Sequence, residues 1–346
     1  MVNIESLSYF LTKTIDIYGE YLKESFSLMD MPPMVRYLQK RGITSQELLR
    51  KYKVGYFDTY LESSRGAKKF HELESEFSQL KPFLTQYSEA RKKIPKEFIK
   101  HVPCIYGPSG NYLMQRRIVF PIYSQDGKLL NIYGKSIEPD SPSPHVYGGT
   151  NICWYNLNSE DLTTSNSLII TEGLFDAFTF LQSGIRNITA LCTGRYNYNH
   201  FHEQDVSLTL RRSNIVNDFD HLTNLKTIYL CFDNDCSTHK YGSYMAVILA
   251  RLLVEHHFQV KIFRLPKDKD PNSLFTEGSD NDQKRIQFFQ EHFKELLDNA
   301  VDFVVEEAHL LLDRLNLSEE DRKMVYRIVE NVSYYYNEVH QEEMSI

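Results

Sequence analysis

The chain has 346 residues, 42% of them hydrophobic and 25% charged, with 15 glycines and 12 prolines. These proportions are globular and exclude a collagen-like, coiled-coil or wholly disordered chain, and the length points to two or three domains. The net charge of −7 is uneven: residues 277–346 hold 17 acidic and 7 basic side chains, so the body is slightly basic and any nucleic-acid contact is expected in a local groove.

In chain order, the apolar stretch over 1–30 reads as a helix, broken at Met31-Pro32-Pro33. Met34–Arg41 reads as a short helix stopped by Gly42. Thr44 is placed to cap the next helix, with Glu47 at the capping-box spacing. Residues 62–100 are polar and read as partly helical, and 91–117 is a basic stretch suited to a template track. The Asp126-Gly127 step between the apolar runs Arg117–Tyr123 and Leu129–Tyr133 predicts a hairpin, ended by Ser141-Pro142-Ser143-Pro144. Strands are expected at Ser167–Thr171, Asn187–Cys192, Thr227–Phe232 and Gln259–Leu265, with a helix at Tyr241–His257. That alternation predicts a mainly parallel sheet covered by helices. Residues 283–340 read as helical, with a break at Asn316-Leu317-Ser318.

No apolar run approaches the roughly 18 residues a membrane span needs, and the N-terminus lacks the pattern of a secretory signal. The cysteines, Cys104, Cys153, Cys192, Cys231 and Cys236, are scattered and odd in number, which suits a reducing cytoplasm. No Cys-x-x-Cys or Cys-x-x-His pair is present from which a zinc ribbon could be built.

Three acidic sites fall where an apolar strand runs out, the edge at which open parallel sheets bind ligands. Glu172 follows Ile169-Ile170-Thr171, with Gly173 allowing a tight turn and Asp176 in the first turn of the next helix. Asp233 and Asp235 follow Ile228–Phe232 at i and i+2, on one side of an extended segment. Asp270 follows Phe263-Arg264-Leu265. Five carboxylates at one sheet edge repel one another unless a cation joins them, and oxygen donors without His or Cys suit Mg²⁺ or Mn²⁺. Such ions serve phosphoryl or nucleotidyl transfer.

Taken together, these motifs make 167–276 resemble a Toprim domain, the metal-binding fold shared by DnaG-type primases, topoisomerases and some nucleases. The resemblance implies Glu172, Asp233 and Asp235 as catalytic residues, and Glu172, Asp176, Asp233, Asp235 and Asp270 as metal ligands. Upstream, Arg36–Ile43 with Val54-Gly55-Tyr56 resembles the opening of the DnaG-type RNA polymerase core. Arg117–Ile122, Gly127 and Tyr133-Gly134-Lys135 resemble its central hairpin, a pairing that topoisomerases and Toprim nucleases lack. The expected class is α/β: an α+β primase-core subdomain over 1–165, a parallel-sheet Toprim domain over 166–280, and a helical segment over 281–346. The resemblance implies a metal-dependent primase that makes short RNA primers from nucleoside triphosphates on single-stranded DNA. Arg41, Arg117 and Lys135 would meet template or nucleotide phosphates, and a replicative helicase would be a partner.

The chain departs from the family pattern in four places. No counterpart of the N-terminal zinc-binding domain is legible, which suggests a phage or mobile-element core served by a separate zinc-binding protein. Asn272 stands where a second acid usually follows Asp270. Cys236-Ser237-Thr238-His239-Lys240 is inserted before the helix at Gly242, with His239 near the carboxylates. His145-Val146-Tyr147 after Pro144 replaces a Pro-Lys-Tyr step. Two rival readings remain: a Toprim nuclease, in which water replaces the attacking hydroxyl, and a replication or RNA-handling accessory with an inactive metal site.

Overall fold

The computed structural model describes residues 4–26, 32–58, 65–85, 103–149, 152–192, 203–234, 241–313, 315 and 317–329. The fold is α/β and divides into two units, one of residues 1–159, 178–185 and 190–199, the other of 160–177, 186–189 and 200–346.

In the first unit, β1 (Gly55–Phe57), β2 (Arg117–Tyr123), β3 (Leu129–Ser136) and β4 (His145–Tyr147) form an antiparallel sheet in that order. The hairpin joins β2 and β3 where Asp126-Gly127 predicts it, and Ser124 N–H donates to Lys128 O at 2.8 Å to close the turn. β3 runs on to Ser136, past the apolar stretch that marks it in the sequence, because β4 pairs with residues 133–135. The helix Ile4–Ser25 brings Leu7, Phe10, Leu11 and Tyr18 into one core with Phe57, Phe70, Tyr106, Val119 and Ile132. Their spacing is the i, i+3, i+4 stripe of an amphipathic helix.

The helix Gln46–Lys51 is capped by Ser45, whose side chain accepts from Leu48 N–H at 3.3 Å, and not by Thr44. The reason lies 138 residues away in sequence: Gln182 Nε2 donates to Thr44 Oγ1 at 2.9 Å and to Gly42 O at 2.8 Å. Gln182 Oε1 in turn accepts from Thr44 N at 3.3 Å and Ser45 N at 3.2 Å. One buried amide therefore serves both ends of this turn. Gln182→Leu is expected to cost about 2–4 kcal/mol, because backbone groups are left buried and unpaired. Urea denaturation of the two proteins would measure it, and a loss under about 0.5 kcal/mol would show that the turn does not depend on this side chain.

β5 (Cys153–Tyr155) pairs antiparallel with Ala190, Leu191 and Cys192 of β7 (Ile188–Cys192), and Trp154 is buried there.

In the second unit, β6 (Ser167–Thr171), β8 (Thr227–Cys231) and β9 (Gln259–Ile262) run parallel, with β8 between the other two. Within this unit the strand order is β10-β9-β8-β6, β10 being Val301–Asp302. The central strands are unbroken apolar runs, as both faces of a parallel strand are covered. Register sets Thr171 beside Cys231 and Leu230 beside Ile262. The three strands thus end at one level, and whatever follows them emerges at one edge.

The tail differs from expectation. It is not continuously helical from 283: Val301–Asp302 forms β10, antiparallel on β9, between the helices Asp282–Asp298 and Phe303–Asp313. Asn299 ends the first helix, with its N–H and Nδ2 both donating to Glu295 O, at 3.0 and 2.8 Å. Val301 and Asp302 then satisfy the open edge of β9. Ion pairs of Arg251 with Glu307 and of Arg264 with Glu306 hold the second helix. Among the described residues no helix is long and apolar enough to cross a membrane.

Candidate active site

The turn after β6 is closed by Thr171 Oγ1, which donates to Gly173 O at 3.0 Å. Glu172 sits half-buried on that turn, and the helix Leu174–Gln182 begins at once. Asp176, in its first turn, is only 7% exposed. Asp176 Oδ1 accepts from Asn272 N–H at 3.1 Å, at the start of the helix Pro271–Glu277. Gly173 makes room for this carboxylate, since a Cβ there would lie 2.3 Å from Asp176 Oδ2.

Asp233 follows β8 after the buried Phe232. Its neighbour Asn234 ties this loop to the one after β9: Asn234 N donates to Lys269 O at 3.0 Å, Asp268 N to Asn234 O at 2.7 Å, and Asn234 Nδ2 to Leu265 O at 2.6 Å. That lacing brings Asp270 alongside. Asp270 also caps its own helix, with Oδ1 accepting from Ser273 N at 2.6 Å and Ser273 Oγ accepting from Asp270 N at 3.0 Å.

The four described carboxylates act on one another. Burial pushes Asp176 well above the usual carboxylate range, Asp233 and Asp270 push it further, Asn272 N–H pulls it back, and Glu172 adds to the rise. Burial and then Asp176, Asp233 and Asp270 likewise raise the thiol of Cys231. Among the described residues no three Asp, Glu, His or Cys side chains close into a metal-binding cluster, and Asp235 and His239 lie outside the described residues. The donor set nevertheless fits a hard divalent cation: only oxygens, an excess of negative charge, and a buried carboxylate kept clear by a glycine.

A carboxyl with a raised value keeps its proton in the folded chain where the unfolded chain has lost it. The contribution of Asp176 to the stability of the metal-free chain should therefore fall as pH rises above about 4, the ordinary aspartate value, and level off above the folded value. Asp176→Asn should flatten that slope. Denaturation in a chelator from about pH 4 to about pH 7 checks this, and an unchanged slope would remove Asp176 as its source.

In the first unit, β2 and β3 bring the predicted basic residues together. Lys135 lies opposite His145 in the β3–β4 register, and Arg117 starts β2. Arg41, which ends the helix Pro33–Lys40, lies over the ring of Tyr37 at 5.7 Å. Burial, then Arg41 and Arg117, bring Lys135 down to about 8. Arg117 Nε donates to Leu113 O at 3.3 Å, and its Nη1 is buried with no hydrogen-bond acceptor among the described residues. Lys135 is thus the cation that burial and its two arginine neighbours depress, and a phosphate group would favour its charged form.

A family model described as Toprim-like matches residues 169–275. A DNA primase of Campylobacter jejuni is 26% identical over 166 residues, 46% of this chain and 24% of that protein. The zinc-binding and RNA polymerase domains of Aquifex aeolicus primase superpose with a TM-score of 0.59 at 18% identity, over 97% of this chain and 74% of that one. A DnaG primase catalytic domain bound to single-stranded DNA superposes with a TM-score of 0.56 at 17% identity, over 92% and 86%.

The chain has the fold of a DnaG-type primase core. It spans between 24% and 38% of the length of the curated DNA primases it matches. In this primase-core fold Glu172, Asp176, Asp233 and Asp270 stand at one sheet edge, and Arg41, Arg117 and Lys135 form a separate basic group. The basic stretch expected over 91–117 lies partly outside the described residues.

Sequence reasoning missed three features of the core. Asn272 serves Asp176 through its backbone, which no side-chain reading could foresee. Asn234 laces the two acidic loops, although it reads only as the spacer of an Asp-x-Asp step. Gly242 touches the backbone of Asp233, and only its place at the start of a helix hinted at a role.

Proposed function

We propose that this chain is the catalytic core of a DNA primase, a nucleotidyltransferase that joins ribonucleotides into short RNA primers on single-stranded DNA. The observation that carries the proposal is that the acidic strand ends and the β2–β3 hairpin occur together in a chain that follows the primase core over 97% of its length. A Toprim nuclease accounts for the acidic sheet edge and leaves the hairpin unit without a use.

Glu172, Asp176, Asp233, Asp235 and Asp270 are the residues that would hold Mg²⁺ or Mn²⁺. When bound, such an ion neutralises phosphate charge and makes the attacking 3′-hydroxyl easier to deprotonate. Glu172, half-buried on the tight turn after β6, is the candidate to take that proton or to complete the ligand set. Asn272 N–H and Gly173 keep the Asp176 carboxylate in place. Arg41, Arg117 and Lys135 are the candidates for nucleotide or template phosphates, through one flexible ammonium and two planar guanidinium groups. The functional division proposed is a primase-core part over 1–165, a metal-binding part over 166–280 and a helical part over 281–346. A replicative helicase is the proposed partner.

The test is incubation of the pure chain with single-stranded DNA, labelled ribonucleotides and Mg²⁺ or Mn²⁺, beside Asp233→Ala. Short labelled oligomers from the wild type alone support the proposal. Shortened DNA without oligomers would replace it with the nuclease reading.

A further inference from the structure

Lys135 and His145 face each other across β3 and β4, and Lys135 Nζ lies 2.9 Å from His145 Nε2. An ammonium only donates, so Nε2 accepts. The ring proton then sits on Nδ1, which lies 2.8 Å from Tyr133 Oη and donates to it. The two neighbours together select one neutral tautomer.

The charges around this pair come from several elements. Arg41 from the end of the helix Pro33–Lys40 and Arg117 from β2 act on both Lys135 and His145. Glu138, beyond β3, acts on Arg117 and is ion-paired to Arg116. Tyr133, on β3 itself, completes the set. Burial and then the three cations hold the His145 imidazole below its ordinary range. His145 is exposed at the sheet edge, so the burial part of that effect is weakened by solvent and the cations carry the direction. Among the described residues the hydrogen-bond partner of the Lys135 ammonium is thus a neutral base, and no carboxylate is paired with it.

We propose that His145 is a positioning residue, whose neutral imidazole, fixed by Tyr133, aims the Lys135 ammonium at a phosphate oxygen. The inference rests on reading the Arg41–Arg117–Lys135 group as a phosphate site. Its consequence is a pH profile. Bound phosphate favours the charged lysine, so affinity is fullest below Lys135's own value and declines above about 8. The His145 acceptor also favours the charged form. Without it Lys135 loses its proton sooner, and the decline moves to lower pH.

The experiment titrates the full chain with inorganic tripolyphosphate in a chelator, from about pH 6.5 to about pH 9. Wild type is compared with His145→Leu, His145→Gln, Lys135→Arg and Lys135→Met. His145→Leu is expected to bind roughly five- to tenfold more weakly near pH 8, with its decline displaced to lower pH. His145→Gln, which returns an acceptor oxygen, should restore most of the affinity. Lys135→Arg should bind without the alkaline decline. Since His145 is exposed, the two His145 variants should melt as the wild type does. Equal affinity and an equal profile in His145→Leu and wild type would overturn the positioning role while leaving the phosphate site. No binding by the wild type, or no loss in Lys135→Met, would overturn the phosphate site and the inference with it.

Discussion

Asp233→Asn is expected to lower primer synthesis by roughly a thousandfold or more while leaving the metal-free chain as stable as before, or more stable. Asp233 is among the charges that hold Asp176 up. Without a cation these carboxylates repel, and an amide of the same shape removes one charge from that repulsion. A divalent ion reverses the sign, because each carboxylate then adds attraction. The wild type should therefore gain melting temperature on addition of Mg²⁺ or Mn²⁺, and the variant should gain much less. Primer assays and melting curves with and without the ion test both halves. Full activity in the variant would remove Asp233 from the chemistry. A large fall in metal-free stability would make its role structural.

Gly242→Ala should destabilise the chain by about 2–4 kcal/mol and collapse activity with it. Propensity alone argues the opposite, since alanine is favoured over glycine within a helix by about 1 kcal/mol. Here a Cβ would lie 2.1 Å from Asp233 O, 3.0 Å from its C and 3.1 Å from its N, all backbone atoms. A backbone cannot rotate aside as a side chain does. Either the helix Tyr241–Glu255 lifts away or the end of β8 moves, and Asp233 moves with it. Urea denaturation and primer assays on the same variant give the answer. Unchanged or raised stability would mean that this approach is looser than the geometry states.

Much of the architecture follows from local pattern. The apolar runs of β6, β8 and β9, each ended by an acid, need no tertiary information to be read as strands that stop. The Asp126-Gly127 hairpin and the helix beginning at Tyr241 are likewise written in short-range periodicity and turn chemistry. The shared placement of Glu172, Asp176, Asp233 and Asp270 follows from the same order, because strand ends in a parallel sheet share an edge.

Tertiary structure decided the rest, wherever a partner distant in the chain outweighed a local preference. Thr44 has the sequence of a cap, yet Gln182 takes its hydroxyl and Ser45 caps instead. Val301–Asp302 lies in a helical context, yet the open edge of β9 draws it into a strand. Asn272 holds Asp176 by a backbone N–H, whatever its side chain suggests. His145 reads as a departure from a lysine pattern, and its meaning depends on Lys135 and Tyr133 across the sheet. Periodicity carries information over a few residues, and it finds the elements. Hydrogen-bond satisfaction and charge balance act between elements, so the caps, the lacing of the acidic loops and the aim of the lysine appear only when the chain is folded.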